Sequence, residues 1–115
     1  MRDDLKVAVY DRMTAPGFRH CELYLHADDA FCALGVVADL AVEDGLTQWI
    51  GGPEGIFTLP GETSFDEHES TLHDSLLEWA DMTREEHDRV YKFSDRHVGE
   101  PVLVAEFIKN LPSRP

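Results

Sequence analysis

Apolar positions in this chain fall into short periodic groups separated by acidic or Gly/Pro-rich stretches, and the longest group is Ala30 to Gly45, AFCALGVVADLAVEDG. From Leu34 the apolar residues recur at Leu34, Val37, Ala38 and Ala41, the i, i+3, i+4, i+7 spacing of one helix face. Val36 and Leu40 widen that stripe, and only Asp39 and Glu43 mark a polar side. The spacing therefore predicts a helix buried on more than one side. Gly45 follows the last periodic residue, where a left-handed cap favours a residue without Cβ. Upstream, Cys21 to His26 alternates as a strand does, with Cys21, Leu23 and Leu25 on one face. Ala27-Asp28-Asp29 supplies turn chemistry, and Ala30 to Cys32 reads as a short return strand. A small hairpin is thus expected to feed the central helix.

The rest of the chain reads as cover for this unit. Asp3 and Asp4 suit a helix start, and Leu5, Ala8, Val9 and Met13 follow at helical spacing until Ala15-Pro16-Gly17. Thr47 to Ile50 and Ile56 to Leu59 flank Gly51-Gly-Pro-Glu-Gly55, which predicts a second hairpin, with an irregular excursion as the alternative. Gly61 to Ser70 is polar and acidic and is expected to be a mobile loop. Leu72, Leu76, Trp79 and Ala80 mark an amphipathic helix. Thr83-Arg-Glu-Glu86 is a capping-box pattern that starts another, with Glu85–Arg89 and Asp88–Lys92 pairs outside and Val90 and Tyr91 inside. Ser94 to Gly99 reads as a turn, and Pro101 suits a first helical position. Val104, Phe107, Ile108 and Leu111 then define a last helix, stopped by Pro112. The expected fold is α+β: a single domain over residues 1–115, with four to five helices packed on a small antiparallel sheet or hairpins.

The order of short strand, acidic turn, Phe31-Cys-Ala-Leu-Gly-Val36, acidic helix end with glycine and then Trp49 resembles a family of small, uncharacterised bacteriophage and actinobacterial prophage proteins. Members of that family show FCCLGV at this point. Leu76-Leu-Glu-Trp-Ala80 looks like their L-x-x-W-A helix, and Phe93 to Leu111 like their closing turn and helix. The resemblance spans roughly Leu23 to Leu111 and consists of packing motifs. Ala33 stands where the second cysteine is common, and Ser94-Asp95 where Asn-Asp is common. The likeness implies an origin and a fold; it brings no activity with it.

Composition narrows the function further. A 115-residue chain with 43% hydrophobic residues can bury a core without a metal or a disulfide staple. No apolar run reaches eighteen residues and the N-terminus lacks a basic-then-apolar pattern, so neither a membrane span nor a signal peptide is expected. Two cysteines in such a chain point to a reducing cytoplasm, that of the host if the chain is phage-encoded. Net charge is −13, which repels nucleic acid and anionic membrane surfaces. The charge is also uneven: Gly61 to Asp88 holds ten Asp and Glu against Arg84 alone, a local net of −9. Such a run is either a solubilising face or a docking surface for a basic partner.

Candidate chemistry is sparse. Cys21, His26 and Cys32 lie close together and His20 adjoins them, but no pair has the tight spacing of a structural zinc site. A Cys21–Cys32 disulfide is opposed by the compartment. Cys32, at a helix entry, is a conceivable nucleophile with His20, His26, His68, His73, His87 or His97 as base, set against the commoner role of a small buried hydrophobe. The Gly51 to Gly55 cluster lacks the Lys and the spacing of a phosphate loop. No catalytic residue, metal ligand or cofactor is therefore assigned. The expected role is non-enzymatic: a phage or prophage accessory protein that binds a basic host or phage protein. Its contacts are sought in Glu62, Asp66, Glu67, Glu69, Asp74, Glu78 and Asp81, with Trp49 as an anchor. Three other classes compete: a DNA mimic that occupies a basic groove, a Cys/His enzyme and a zinc-binding protein.

Overall fold

Where the apolar stripes are long enough, the chain forms helices, and the helices bury one another. The computed structural model describes residues 1–21, 26–27, 30–45, 48–50, 56–58, 72 and 74–112. In chain order the elements are α1 (Asp3–Thr14), β1 (His26–Ala27), β2 (Ala30–Phe31), α2 (Ala33–Glu43), β3 (Gln48–Ile50), β4 (Ile56–Thr58), α3 (Asp74–Ala80), α4 (Arg84–Arg96) and α5 (Pro101–Lys109).

α2 is the hub. Ala33, Leu34, Gly35, Val36, Val37, Ala38 and Ala41 are all buried, so more than half of its circumference is dry. The small residues among them let neighbouring helices approach closely, and α1, α3 and α4 all pack on it. Gly45 ends the helix at φ +78°, the left-handed conformation its position suggested. α1 contributes Leu5, Val9 and Met13 to the same core and lies along α5, which supplies Val104, Ala105 and Ile108. Pro101 opens α5, and Thr83 caps α4 in a closed box: its hydroxyl accepts from Glu86 N at 3.0 Å while Glu86 Oε1 accepts from Thr83 N at 3.1 Å.

The expectation of an α+β domain is corrected: the fold is mainly helical. β1 pairs antiparallel with β2 over two residue pairs, and β3 with β4 over three, Trp49 opposite Phe57. Among the described residues the two pairs are separate, and neither joins a larger sheet. Strands this short present too little face to seat a helix. The helices' apolar stripes are satisfied by each other. Of the strand expected from Cys21 to His26, residues 22–25 lie outside the described set. Residues 19–21 meet Phe31 through a single parallel bridge instead, with Cys21 N donating to Phe31 O and Phe31 N to Arg19 O.

Three local expectations also change. Cys32 is not a strand residue but the N-cap of α2. Ser94, Asp95 and Arg96 are not a turn but the last turn of α4, held helical because Ser94 faces the core and is only 1% exposed. The outer pairs Glu85–Arg89 and Asp88–Lys92 do not form: Asp88 turns to His87, and the Arg89 guanidinium lies over Phe107, 5.8 Å from the ring centre. The loop expected from Gly61 to Ser70 and the Gly51 to Gly55 cluster lie outside the described residues.

Candidate functional site

The nominated contact residues fall partly inside and partly outside the described set. Glu62, Asp66, Glu67 and Glu69 lie outside the described residues, as does the side chain of Trp49, whose backbone belongs to β3. Asp74, Glu78 and Asp81 are described. α3 turns Leu76, Leu77 and Ala80 into the core and leaves Asp74 and Glu78, one helical turn apart, exposed on its outer side. Asp81 follows at φ +53°, half-buried in the corner that leads to α4.

These acids are not all free. One Arg84 nitrogen reaches Asp74 at 2.7 Å and another donates to the Leu72 carbonyl at 3.1 Å, so a single guanidinium fastens the start of α3 to α4. Glu86 completes the α4 cap and sits 3.2 Å from the Met1 ammonium. Asp88 accepts from the His87 ring at 2.9 Å. Part of the acidic run is thus spent on internal ties, and Glu78 and Glu85 remain exposed on its outer side.

The cysteine is inert by construction. Cys32 is 4% exposed, and its Sγ accepts from Gly35 N at 3.4 Å as a side-chain cap. Burial pushes its thiol up to about 12, and the helix amides that oppose this only soften it. A thiol held so far above neutrality is no nucleophile at physiological pH. Cys21 and Cys32 are both thiols, and no disulfide joins them. Beside them, Ser94 Oγ accepts from Ala33 N at 3.3 Å and lies 2.9 Å from His20 Nε2. The spacing is that of a Ser–His dyad, but the hydroxyl is sealed in the core and serves the first turn of α2. It ties α2, α4 and the segment around His20 together, out of reach of a substrate. Among the described residues no group of three or more His, Cys, Asp or Glu is arranged to hold a metal ion.

Sequence reasoning did not anticipate the structural roles of three polar groups, Lys6 and His87 buried and Arg12 half-buried. Lys6 is 4% exposed, with Nζ donating to Leu111 O at 2.6 Å and to Asp3 Oδ1 at 3.2 Å; it closes the carbonyl end of α5. His87 is fully buried: Nε2 accepts from Leu72 N at 3.0 Å, so the ring proton sits on Nδ1 and points at Asp88. Arg12 spans α1 and α2, 2.7 Å from both Asp39 and Glu43. The detectable signal was spacing. Lys6 precedes Val9 by three residues and Met13 by seven, and His87 precedes Val90 and Ser94 in the same way, which puts both on inward faces.

One concavity combines these elements. Arg2, Asp4, Leu5 and Ala8 from the start of the chain, Leu40, Glu43 and Asp44 from the end of α2, and Trp79 from α3 line a hollow of about 180 Å³. The Arg2 guanidinium lies over the indole of Trp79, 4.7 Å from the ring centre, with Nε 3.2 Å from Asp4. No known family pattern, curated protein or solved structure matches this chain. Among the described residues no helix is long and apolar enough to cross a membrane.

Proposed function

We propose that this chain is a small acidic accessory protein of a phage or prophage that acts without catalysis, by binding a basic host or phage protein in the cytoplasm. The observation that supports the reading is the two-sidedness of α3: Leu76, Leu77 and Ala80 anchor it, while Glu78 stands exposed in the middle of the most acidic stretch of the sequence, beside an Asp74 that Arg84 already holds. A carboxylate face of this kind steers a basic partner over a range of roughly 8–10 Å and raises the rate of encounter more than the final affinity. It repels phosphates, so direct binding of DNA or RNA is not part of the reading.

The test is capture from host lysate by the parent chain and by a chain carrying Asp66→Asn, Glu67→Gln, Glu69→Gln and Glu78→Gln. Basic proteins should be retained by the parent at about 50 mM salt, lost at about 500 mM, and not retained by the neutralised chain. A partner held equally well at both salt levels, or equally by both chains, would sink the acidic-face reading.

A further inference from the structure

We propose that the hollow between α1, the C-terminal end of α2 and α3 receives one arginine side chain of a basic partner protein. This rests on the reading that the partner is basic and adds the point at which it docks. Leu5, Ala8, Leu40 and the indole of Trp79 line the hollow beside Arg2, Asp4, Glu43 and Asp44. At about 180 Å³ it is smaller than the ~300–1,000 Å³ of small-molecule pockets, and its scale suits a single long side chain.

Its rim asks for a positive charge. α2 ends in Glu43 and Asp44 with no basic residue in its last turn. The negative end of the helix dipole therefore meets two carboxylates, an unfavourable arrangement. Arg12 answers Glu43 but is shared with Asp39, and Arg2 answers Asp4. The exposed Asp44 carboxylate is answered by no group among the described residues. Stability alone would favour a cation here.

Arginine rather than lysine follows from the indole. A planar guanidinium stacks on Trp79 and can still reach a carboxylate at its edge, which a compact ammonium does less well. The chain's own Arg2 already makes this pair of contacts, with Trp79 and Asp4. A partner's arginine would extend the pattern toward Asp44, or take the indole face from Arg2.

The experiment uses the full chain with Trp49→Phe, so that Trp79 is the sole indole. It is titrated with a nine-residue peptide carrying three arginines and, separately, with the same peptide carrying citrulline, and the Trp79 indole N–H resonance is followed. The arginine peptide should shift that resonance and citrulline should not. Asp44→Lys should weaken binding about tenfold while melting at or above the parent temperature, because it also relieves the helix end. Asp44→Asn should weaken binding less. Arg2→Ala should tighten it by removing a like charge and a rival for the indole. Equal shifts with citrulline, an unchanged affinity in Asp44→Lys, or weaker binding in Arg2→Ala would each overturn the proposal. A chain neutralised at Glu62, Asp66, Glu67 and Glu69 separates the two readings. If it binds the peptide normally while Asp44→Lys does not, the hollow stands and the acidic-run reading falls; the reverse result removes the hollow.

Discussion

His87 shows how a single side chain can be wrong for its surroundings by type and right by geometry. The ring is fully buried, yet both nitrogens are used: Nε2 accepts from Leu72 N, and Nδ1–H donates to Asp88. Burial holds its pKa below the ordinary 6.5, Asp88 pulls the other way, and Arg84 adds to the depression. Protonation would put a hydrogen on Nε2 and break the bond to Leu72. The sign is therefore fixed. Above about pH 7 the ring is neutral in both states and stability does not depend on it. As pH falls past 6.5 the unfolded chain binds the proton first, and stability drops, by up to ~1.4 kcal/mol per pH unit for one group. The urea midpoint should accordingly fall between about pH 7 and pH 5. His87→Gln, whose amide can still accept from Leu72, should remove this ring's share and leave that of His20, whose pKa burial also lowers. A parent midpoint flat across that range would contradict a buried neutral ring. The inward position of His87 was visible in its spacing from Val90 and Ser94. Its partner was not, since Leu72 lies fifteen residues away.

At the scale of elements, the helices and the places of the two short strand pairs were legible, while the expected sheet beneath the helices is contradicted. α1, α2, α3 and α5 follow stripes whose period of about 3.6 persists over at least two turns, and the capping box at Thr83 and Glu86 marks where α4 begins. Thr83→Ala should cost about 1 kcal/mol, read as a lower melting temperature, because it removes the acceptor for Glu86 N and loosens the carboxylate that also faces the Met1 ammonium. No change on melting would mean that the first turn of α4 contributes nothing. Alternation over Cys21 to His26 suggested a longer strand. Residues 22–25 of that stretch lie outside the described set, and at its start Cys21 N donates to Phe31 O. The helical last turn of α4 was missed. Ser94, Asp95 and Arg96 carry turn chemistry locally, and only contact with Ala33 and His20 keeps Ser94 inside the helix.

For the molecule as a whole, the net charge of −13 sets two salt effects of opposite sign. Self-repulsion within the folded chain is screened by salt, which stabilises it. The internal pairs made by Arg12 and Arg84 are partly exposed and contribute at most about 1 kcal/mol each, so their screening loses less. Melting temperature should rise between about 0.02 and 0.3 M sodium chloride, while affinity for a basic partner falls. A melting temperature that falls with salt would mean that internal ion pairs outweigh the excess charge. The acidic run from Gly61 to Asp88, read from the sequence as a solubilising face or a docking surface, is also used internally. Asp74, Glu86 and Asp88 take part in the chain's own cohesion, as Asp39 and Glu43 do through Arg12.

By itself the sequence determined where the helices would lie in outline, the cap that opens α4, the glycine that ends α2 and most of the apolar faces, because periodicity and capping act over a few residues and are written along the chain. It also determined the sign and unevenness of the charge. Only the tertiary structure decided that the buried faces would meet each other rather than a sheet. It alone closed the end of α5 with Lys6, buried His87 against Leu72, and brought Arg2, Asp44 and Trp79 to one hollow. Those contacts join residues up to 105 positions apart, and no local pattern fixes which distant group will satisfy a given polar atom once water is gone.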